Sequence, residues 1–259
     1  MSHRPRPLGA TRPTALATLL AVGVTAVLAS SAGAGPFPTC FGQGVTILGD
    51  GSAETLVGTS DDDVILGAGG NDMIEGKGGN DSICGGDGDD ILVGGRGKDE
   101  LNVDAPADGF FQAAIGDNFA DDGSDLSGGG DDLLIGNSGR DDMVGDNFTT
   151  GGANTGTATG AGDDVILAGG GPDNNLIGDN IGYSTAGAGG DDLIKGQPGE
   201  DDLIGDHVTN GGNSSGGGRD ILRGGADNDA HFGGPRRDKC VGGSGTDVAS
   251  KCERLRGIP

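Results

Sequence analysis

The sequence predicts an all-β protein, a parallel β-solenoid in which nonapeptide repeats stack on one another. Residues 49–102 divide into six contiguous nonapeptides, and the eighth position of every one holds a large aliphatic residue. Gly supplies 59 of the 259 residues, whereas aromatic residues make up only 3%. A fixed nine-residue period is typical of parallel β-helical repeats. So few large apolar side chains cannot build a conventional globular core.

The N-terminal segment has the composition of a secretory signal. Basic residues at Arg4, Arg6 and Arg12 precede an apolar stretch over residues 15–29, and residues 32–34 fit the small-x-small cleavage rule. A transmembrane anchor is the alternative, but the apolar stretch is short and lacks a positive flank after it. We therefore predict that residues 1–34 are a cleaved signal peptide. The mature protein is then secreted and does not insert into a membrane.

The regular repeats occupy residues 49–102, after a predicted N-terminal cap at residues 35–48 that contains Cys40. Their shared form is G-G-x-G-x-D-x-U-x, where U is a large aliphatic residue. We number these nine positions from the first Gly. Residues 103–115 depart from the pattern, and we predict an irregular connector there.

A longer repeat begins at Gly116. The motif Gly-Asp-Asn/His-apolar occurs at residues 116–119, 145–148, 178–181 and 205–208. A variable segment follows each motif, and then the end of one nonapeptide and a further short unit return. Long and short units therefore alternate over residues 116–232. If two nonapeptides complete one turn, all the expanded loops leave from the same edge. Terminal repeats and a C-terminal cap are predicted over residues 233–259.

Positions seven to nine predict a very short strand whose eighth residue points inward. The predicted inward residues are Leu56, Ile65, Ile74, Ile83, Leu92, Leu101, Leu134, Met143, Ile166, Leu176, Ile194, Leu203 and Leu222. The series then weakens to His231, Cys240 and Ala249, which indicates that the solenoid is ending.

The sixth position is the candidate metal ligand, because it is Asp in almost every unit. Stacked turns bring these carboxylates close together, and the Gly-rich backbone supplies converging carbonyl oxygens. An oxygen cage of about six ligands suits Ca²⁺ better than Mg²⁺ or Zn²⁺. We predict several Ca²⁺ ions and these ligands: Asp63, Asp72, Asp81, Asp90, Asp99, Asp132, Asp141, Asp164, Asp192, Asp201, Asp220 and Asp229. Asp238 and Asp247 share the position, which Glu54 and Asn174 take in two irregular units.

Charge and composition indicate that metal binding contributes to the stability of the fold. The net charge is -24, and without the three Arg of the signal, 13 basic residues face 40 acidic ones, giving -27. This balance favours cations as partners over nucleic acid or anionic membranes. One aliphatic residue per nine offsets little of the cost of ordering a Gly-rich backbone. We therefore predict a chain that is disordered without calcium and folds on binding it.

The Gly-Asp-Asn/His motifs permit two interpretations. Their Asp residues (Asp117, Asp146, Asp179 and Asp206) are either extra calcium ligands or turn residues that cap their own backbone. The apolar residues that follow (Phe119, Phe148, Ile181 and Val208) are expected to stack under the loops, or to form a partner-binding stripe. Acidic residues at positions five and seven are interpreted as solvated charge. Residues 212–216 match a hydrolase elbow but lack the strand and helix that it needs.

The nonapeptides closely resemble the RTX, or haemolysin-type, calcium-binding repeat family. The resemblance implies a parallel β-roll in which Ca²⁺ lies between successive turns, held by position-six carboxylates and Gly-loop carbonyls. With its N-terminal signal, the chain resembles the small exported RTX-like proteins of high-GC Gram-positive bacteria, which have Cys-bearing caps. That resemblance implies the pairs Cys40–Cys84 and Cys240–Cys252. Spacing alone leaves the other two connectivities open, and Cys240 is alternatively a buried thiol.

These observations favour a secreted, non-catalytic calcium-binding module that has a structural or interaction role. Its extracellular or cell-surface partner is not identified by the sequence. The alternatives are an adhesin or surface-binding solenoid and, more remotely, the accessory remnant of an RTX-type secreted hydrolase. Only 14 residues separate the predicted signal from the first repeat, which leaves no room for a catalytic domain.

Overall fold

The computed structural model describes residues 38–103, 111–120, 126–149, 157–160, 162–182, 184–186, 189–209 and 216–258. The predicted signal peptide, residues 1–34, lies outside the described residues. Within the described ranges no helix reaches the length and apolarity that a membrane span requires.

The secondary structure of the described residues is a series of short strands, most of which are two to six residues long because each repeat spends its other positions in a turn. In chain order they are β1 Thr39–Cys40, β2 Gln43–Gly44, β3 Ile47–Leu48, β4 Thr55–Val57, β5 Val64–Gly69, β6 Met73–Gly78, β7 Ser82–Asp87, β8 Ile91–Arg96, β9 Glu100–Asn102, β10 Phe111–Ile115, β11 Phe119–Ala120, β12 Leu126–Ser127, β13 Leu133–Ile135, β14 Arg140–Val144, β15 Phe148–Thr149, β16 Thr157–Thr159, β17 Val165–Leu167, β18 Leu176–Ile177, β19 Ile181–Gly182, β20 Ser184–Ala186, β21 Leu193–Pro198, β22 Asp202–Ile204, β23 Val208–Thr209, β24 Ile221–Ala226, β25 Ala230–Phe232, β26 Lys239–Val241, β27 Val248–Ser250 and β28 Arg254–Arg256.

Two parallel sheets form the faces of a β-roll. One has nine strands in the order β27-β25-β22-β18-β14-β10-β8-β6-β4, and the other has ten in the order β28-β26-β24-β21-β17-β13-β9-β7-β5-β3. In the regular block each strand pairs with the one two repeats later, as in the register Leu56↔Ile74 and Ile65↔Ile83. Two nonapeptides therefore complete one turn, and the predicted parallel β-roll is confirmed.

The main core is a column of aliphatic residues between the two faces. All the predicted inward residues, from Leu56 to Leu222, are 2% exposed or less. The column ends as predicted, with Cys240 and His231 buried and Ala249 partly buried at the C-terminal end. Each turn thus contributes only two residues to this column, one from each face.

The end of the predicted connector is a rung of the roll rather than irregular chain. Strand β10 pairs with both β8 and β14, which places Gln112 at position six and Ala114 at position eight. Sequence inspection missed this unit because it has neither the Asp nor the large aliphatic residue of the repeat. Residues 104–110 lie outside the described residues.

The irregular unit at residues 168–177 places Asp173, not the predicted Asn174, at the sixth position. The register Met143↔Leu176 keeps Leu176 inward, as predicted. The extra residue is accommodated between them, where Asn175 adopts a φ of 67°. Asn tolerates this left-handed conformation better than most residues, so the Asp and the aliphatic residue both keep their places.

The expanded loops all leave one edge of the roll, as predicted. They follow β10, β14, β18 and β22, and they add a four-stranded parallel sheet, β11-β15-β19-β23, and a three-stranded one, β12-β16-β20. The rings of Phe119 and Phe148 meet edge to face with centroids 5.6 Å apart. Ile181 and Val208 continue this register. Ile181 belongs to a second small core, against which Phe148 and Val208 pack. The expected stacking is therefore observed.

The two disulfides that the family resemblance implied are present. Cys40 pairs with Cys84 and joins the N-terminal cap to the regular block, and Cys240 pairs with Cys252 at the C-terminal cap. Cys240 is thus an inward residue and also a disulfide partner.

Close backbone stacking explains part of the demand for Gly. A Cβ added to Gly162 would overlap the carbonyl oxygen of Gly130 in the preceding turn, whereas one added to Gly51 would meet nothing. We expect Gly162→Ala to destabilise the calcium-loaded roll by roughly 1–3 kcal/mol, the usual cost of overpacking. Gly51→Ala is the matched control. Equal thermal unfolding midpoints for the two variants would contradict this account of the stacking.

Candidate metal centres

The position-six carboxylates form two rows, one along each edge of the roll. All but two lie just before a strand of the roll; Asp141 lies within β14, and Asp173 lies three residues before β18. The stacking of strands therefore also stacks the carboxylates. Row one consists of Asp63, Asp81, Asp99, Asp132, Asp164, Asp192, Asp220 and Asp238, and row two of Asp72, Asp90, Asp141, Asp173, Asp201, Asp229 and Asp247. All of these residues are 8% exposed or less.

Backbone hydrogen bonds connect the members of each row. The N–H of Asp63 donates to Oδ1 of Asp81 at 2.8 Å, and Asp81 donates in the same way to Asp99. Row one continues without a break to Asp238, whose N–H donates to the Glu253 carboxylate in the C-terminal cap. One oxygen of each bonded carboxylate is therefore already occupied.

Row two has one interruption, at Gln112. Its amide nitrogen donates to the carbonyl oxygen of Gly88, and its amide oxygen accepts from Asn137. Oδ1 of Asp141 in the next turn has no hydrogen-bond partner. An amide at this place removes one negative charge from row two, so the two rows differ in charge at this turn.

The other carboxylate oxygen is left without a hydrogen bond along most of both rows. The Oδ2 atoms concerned are buried and belong to Asp72, Asp81, Asp99, Asp132, Asp164, Asp173, Asp192, Asp201, Asp220, Asp229 and Asp238. A buried carboxylate oxygen without a partner is strongly unfavourable unless a cation or a proton compensates it. The unpaired oxygens of both rows are therefore suited to bind a cation.

Position-one Gly residues keep backbone oxygens next to these atoms. A Cβ added to Gly76 would overlap both Oδ2 of Asp81 and the carbonyl oxygen of Gly94. Gly67 has the same relation to Asp72 and Gly85. Carboxylate and carbonyl oxygens thus converge where a side chain is missing, which is the oxygen-only donor set that Ca²⁺ prefers.

Burial raises the pKa of most of the row carboxylates. It raises the pKa of Asp81 to about 6, that of Asp99 to about 7 and that of Asp132 to about 9, and the neighbouring row carboxylates add to each shift. The pKa of Asp164 is also raised by burial. Without a cation, these carboxylates repel one another and retain protons at pH values where an exposed Asp is ionised.

Position five forms an exposed ladder that sequence reasoning missed. The N–H of Asn80 donates to Asp62, and Lys98 donates to Asn80. Asp131, Asp163, Asp191 and Arg219 repeat this pattern in the expanded half. These side chains are solvated as predicted, but they also link successive turns. The mixture of Asp, Asn, Lys and Arg at this position gave no period by which to detect the ladder.

The Asp residues of the Gly-Asp-Asn/His motifs are buried and close the expanded loops. A carboxylate oxygen of Asp179 accepts from the N–H of Gly190 at 2.9 Å, and Asp206 accepts from Gly218 at 2.7 Å. Asp117 and Asp146 do the same with longer bonds. The turn hypothesis expected each Asp to cap its own backbone. Instead, each one bonds the far end of its loop, just before the repeat resumes.

The residue after each of these Asp forms a second ladder. The amide oxygen of Asn147 accepts from Asn118 at 3.0 Å, and that of Asn180 accepts from Asn147 at the same distance. His207 takes the last place, where its Nδ1 accepts from the backbone N–H of Asn180 at 3.4 Å. These side chains hold the expanded loops in register despite their different lengths.

Every predicted ligand, from Asp63 to Asp229, lies in one of the two rows. Asp173 is a row member that sequence reasoning missed, since the one-residue insertion shifted the count. The C-terminal residues Asp238 and Asp247 continue the rows. Spacing in the sequence does not mark Asp173, because hydrogen bonds to the neighbouring turns place it in the row.

A parallel β-roll with two rows of buried carboxylates defines a repeat protein that binds oxygen-preferring cations. A family model for the RTX calcium-binding nonapeptide repeat (4 copies) matches residues 48–83, 66–101, 126–155, 158–174 and 186–206. The chain therefore contains RTX calcium-binding nonapeptide repeats, a kind of repeat that binds Ca²⁺. Comparisons with curated proteins and with solved structures gave no match.

Proposed function

We propose that this protein is a secreted, non-catalytic structural or interaction module in which Ca²⁺ acts as a folding switch. The observation that carries the proposal is the set of buried Oδ2 atoms without hydrogen-bond partners in both rows. Successive position-six carboxylates, with the Gly carbonyl oxygens between them, would hold each ion. Bound Ca²⁺ supplies the positive charge that brings neighbouring turns together.

Several features support secretion and the absence of catalysis. Two disulfides are typical of an oxidising, extracellular environment, which agrees with the predicted signal peptide. The two His residues that the structure describes, His207 and His231, are both buried rather than exposed to a substrate. Burial lowers the pKa of His231, which disfavours its charged form. The elbow-like pattern at 212–216 falls largely outside the described residues.

A calcium titration with one matched pair of variants tests the proposal. Asp164→Asn removes a buried row-one charge, whereas Asp163→Asn removes an exposed charge from the neighbouring residue. We expect calorimetry to show several ions bound by the wild type. We expect Asp164→Asn to raise the calcium concentration at half-saturation by roughly tenfold, since a charged ligand is lost. Asp163→Asn should bind as the wild type does.

The direction of the effect without calcium provides a second check. Asp164→Asn relieves repulsion between buried carboxylates. We therefore expect it to stabilise the folded form in the absence of calcium, while it weakens calcium binding. Circular dichroism at low and high calcium measures both effects. Wild-type protein that binds no calcium, or an Asp164→Asn variant that binds it normally, would refute the assignment of row one.

A further inference from the structure

Asp206, Asp220 and Asp238 lie together at the C-terminal end of the expanded loops. One carboxylate oxygen from each falls within 4.8 Å of those from the other two, and all three residues are 2% exposed or less. Asp220 and Asp238 are successive members of row one. Asp206 comes from the last Gly-Asp-Asn/His motif, at position two of its repeat. The cluster therefore contains a carboxylate that the nonapeptide pattern does not supply.

Each of these carboxylates has one oxygen that is bonded and one that is not. Oδ1 of Asp206 accepts from the N–H of Gly218 at 2.7 Å. Oδ1 of Asp220 and Oδ1 of Asp238 each accept a backbone N–H at 3.0 Å. The Oδ2 atoms of all three are buried without a hydrogen-bond partner. Three such oxygens in one place require a compensating positive charge.

Gly residues from two neighbouring turns shape the space around Asp206. A Cβ added to Gly217 would lie 2.7 Å and 2.8 Å from its two carboxylate oxygens, and one added to Gly234 would overlap Oδ2. The carbonyl oxygen of Pro235 would lie 2.8 Å from the same added Cβ of Gly217. The absent side chains thus leave a pocket with carboxylate and carbonyl oxygens on its walls, which suits a hard divalent cation.

The row-one units of the regular block have no equivalent of Asp206. At position two, beside Asp81 and Asp99 of row one, they have Lys77 and Gly95. Successive turns there offer carboxylates from position six alone. Higher ligand charge is one of the main factors that raise calcium affinity in proteins. The other expanded loops also have a buried Asp at this position. Within the described ranges, however, only Asp206, Asp220 and Asp238 bring carboxylate oxygens from three residues within 4.8 Å of one another. The turn that contains them is therefore expected to bind first.

We propose that Asp206 is a calcium ligand contributed by an expanded loop, and that with Asp220 and Asp238 it forms the tightest calcium site of the chain. The proposal rests on the proposed function for the identity of the ion. It assigns the last expanded loop a second role besides closing the turn. Calcium then binds this end of the roll at concentrations too low to saturate the regular block.

Calorimetric titration of the full chain with calcium alone, after removal of bound metal on a chelating resin, tests the site. We expect a tight and a weaker class of sites in the wild type. Asp206→Asn keeps an oxygen that accepts from Gly218 but removes the charge, so it should weaken the tight class by roughly tenfold or more and leave the weaker class unchanged. Asp227→Asn removes an exposed charge beside the row-two residue Asp229, on the other edge of the roll, and should leave the tight class unchanged.

A second variant keeps the test decisive if Asp206→Asn does not fold at saturating calcium. Asp238→Asn removes another member of the site and should weaken the same tight class. The losses of binding free energy in the two single variants should not add in the double variant, because both carboxylates bind the same ion. A tight class that survives both substitutions overturns the inference and leaves the proposed function intact. A wild type that binds no calcium overturns the proposed function instead.

Discussion

Removing calcium is expected to unfold the whole roll. Each turn contributes only two residues to the main core, one from each face, and every turn depends on its neighbours for hydrogen bonds. Without the ion, the buried Oδ2 atoms of both rows have no compensating charge. We expect the β-sheet circular dichroism signal to be lost and the radius of gyration to increase from roughly 20 Å to roughly 50 Å, the values for a folded and an unfolded chain of this size.

The measurement compares calcium-loaded protein with the same protein after treatment with a chelating resin, with both disulfides intact. Adding calcium back should restore the signal, because folding and binding are coupled. Magnesium at the same concentration is the control, and it should restore little since it gives up its waters reluctantly. A spectrum and a radius of gyration that do not change on calcium removal would refute the switch.

Acid is expected to act in opposite directions on calcium binding and on the calcium-free fold. Burial raises the pKa of Asp81 to about 6 and that of Asp99 to about 7, above the ordinary value of 3.8. Burial also raises the pKa of Asp132 to about 9. Calcium must displace the protons that these groups retain. Its apparent affinity should therefore fall as the pH is lowered from 8 to 5.

The sign for the calcium-free fold follows from the same shifts. Because the folded-state pKa values exceed the unfolded value, the folded chain binds more protons, and its stability decreases as pH rises from about 4 through 6 to 9. We expect more residual β-structure at pH 5 than at pH 8 in calcium-free buffer. Circular dichroism across this range measures it. Calcium-free protein that is equally unfolded throughout, with a pH-independent calcium midpoint, would contradict the burial of the rows.

Sequence reasoning was most reliable where one position has one physical task. The eighth residue must be large and apolar because it alone fills the interior, and the series from Leu56 to Leu222 is buried as predicted. The alternation of long and short units correctly placed all the expanded loops on one edge, since two repeats complete a turn. The disulfides required the family resemblance, because spacing alone left three connectivities open.

Sequence reasoning failed where spacing and register diverge. Gln112 occupies a row position without the expected residue type, and Asp173 keeps its row position despite an inserted residue. Both are placed by hydrogen bonds to neighbouring turns, which the local sequence does not encode. The same is true of Asp206, whose bond to Gly218 crosses a loop of variable length.

The sequence by itself determined the β-roll, the repeat position that faces the core and the repeat position that supplies the carboxylates. The reason is that a nine-residue period gives the same local geometry to each unit along the chain. Only the tertiary structure decided which carboxylates meet. That depends on how turns distant in the sequence stack, and stacking brings the carboxylates of Asp206, Asp220 and Asp238 together at the end of row one. A carboxylate's position in the repeat determines its place within one turn. Its neighbours in the next turn determine which ion it can bind.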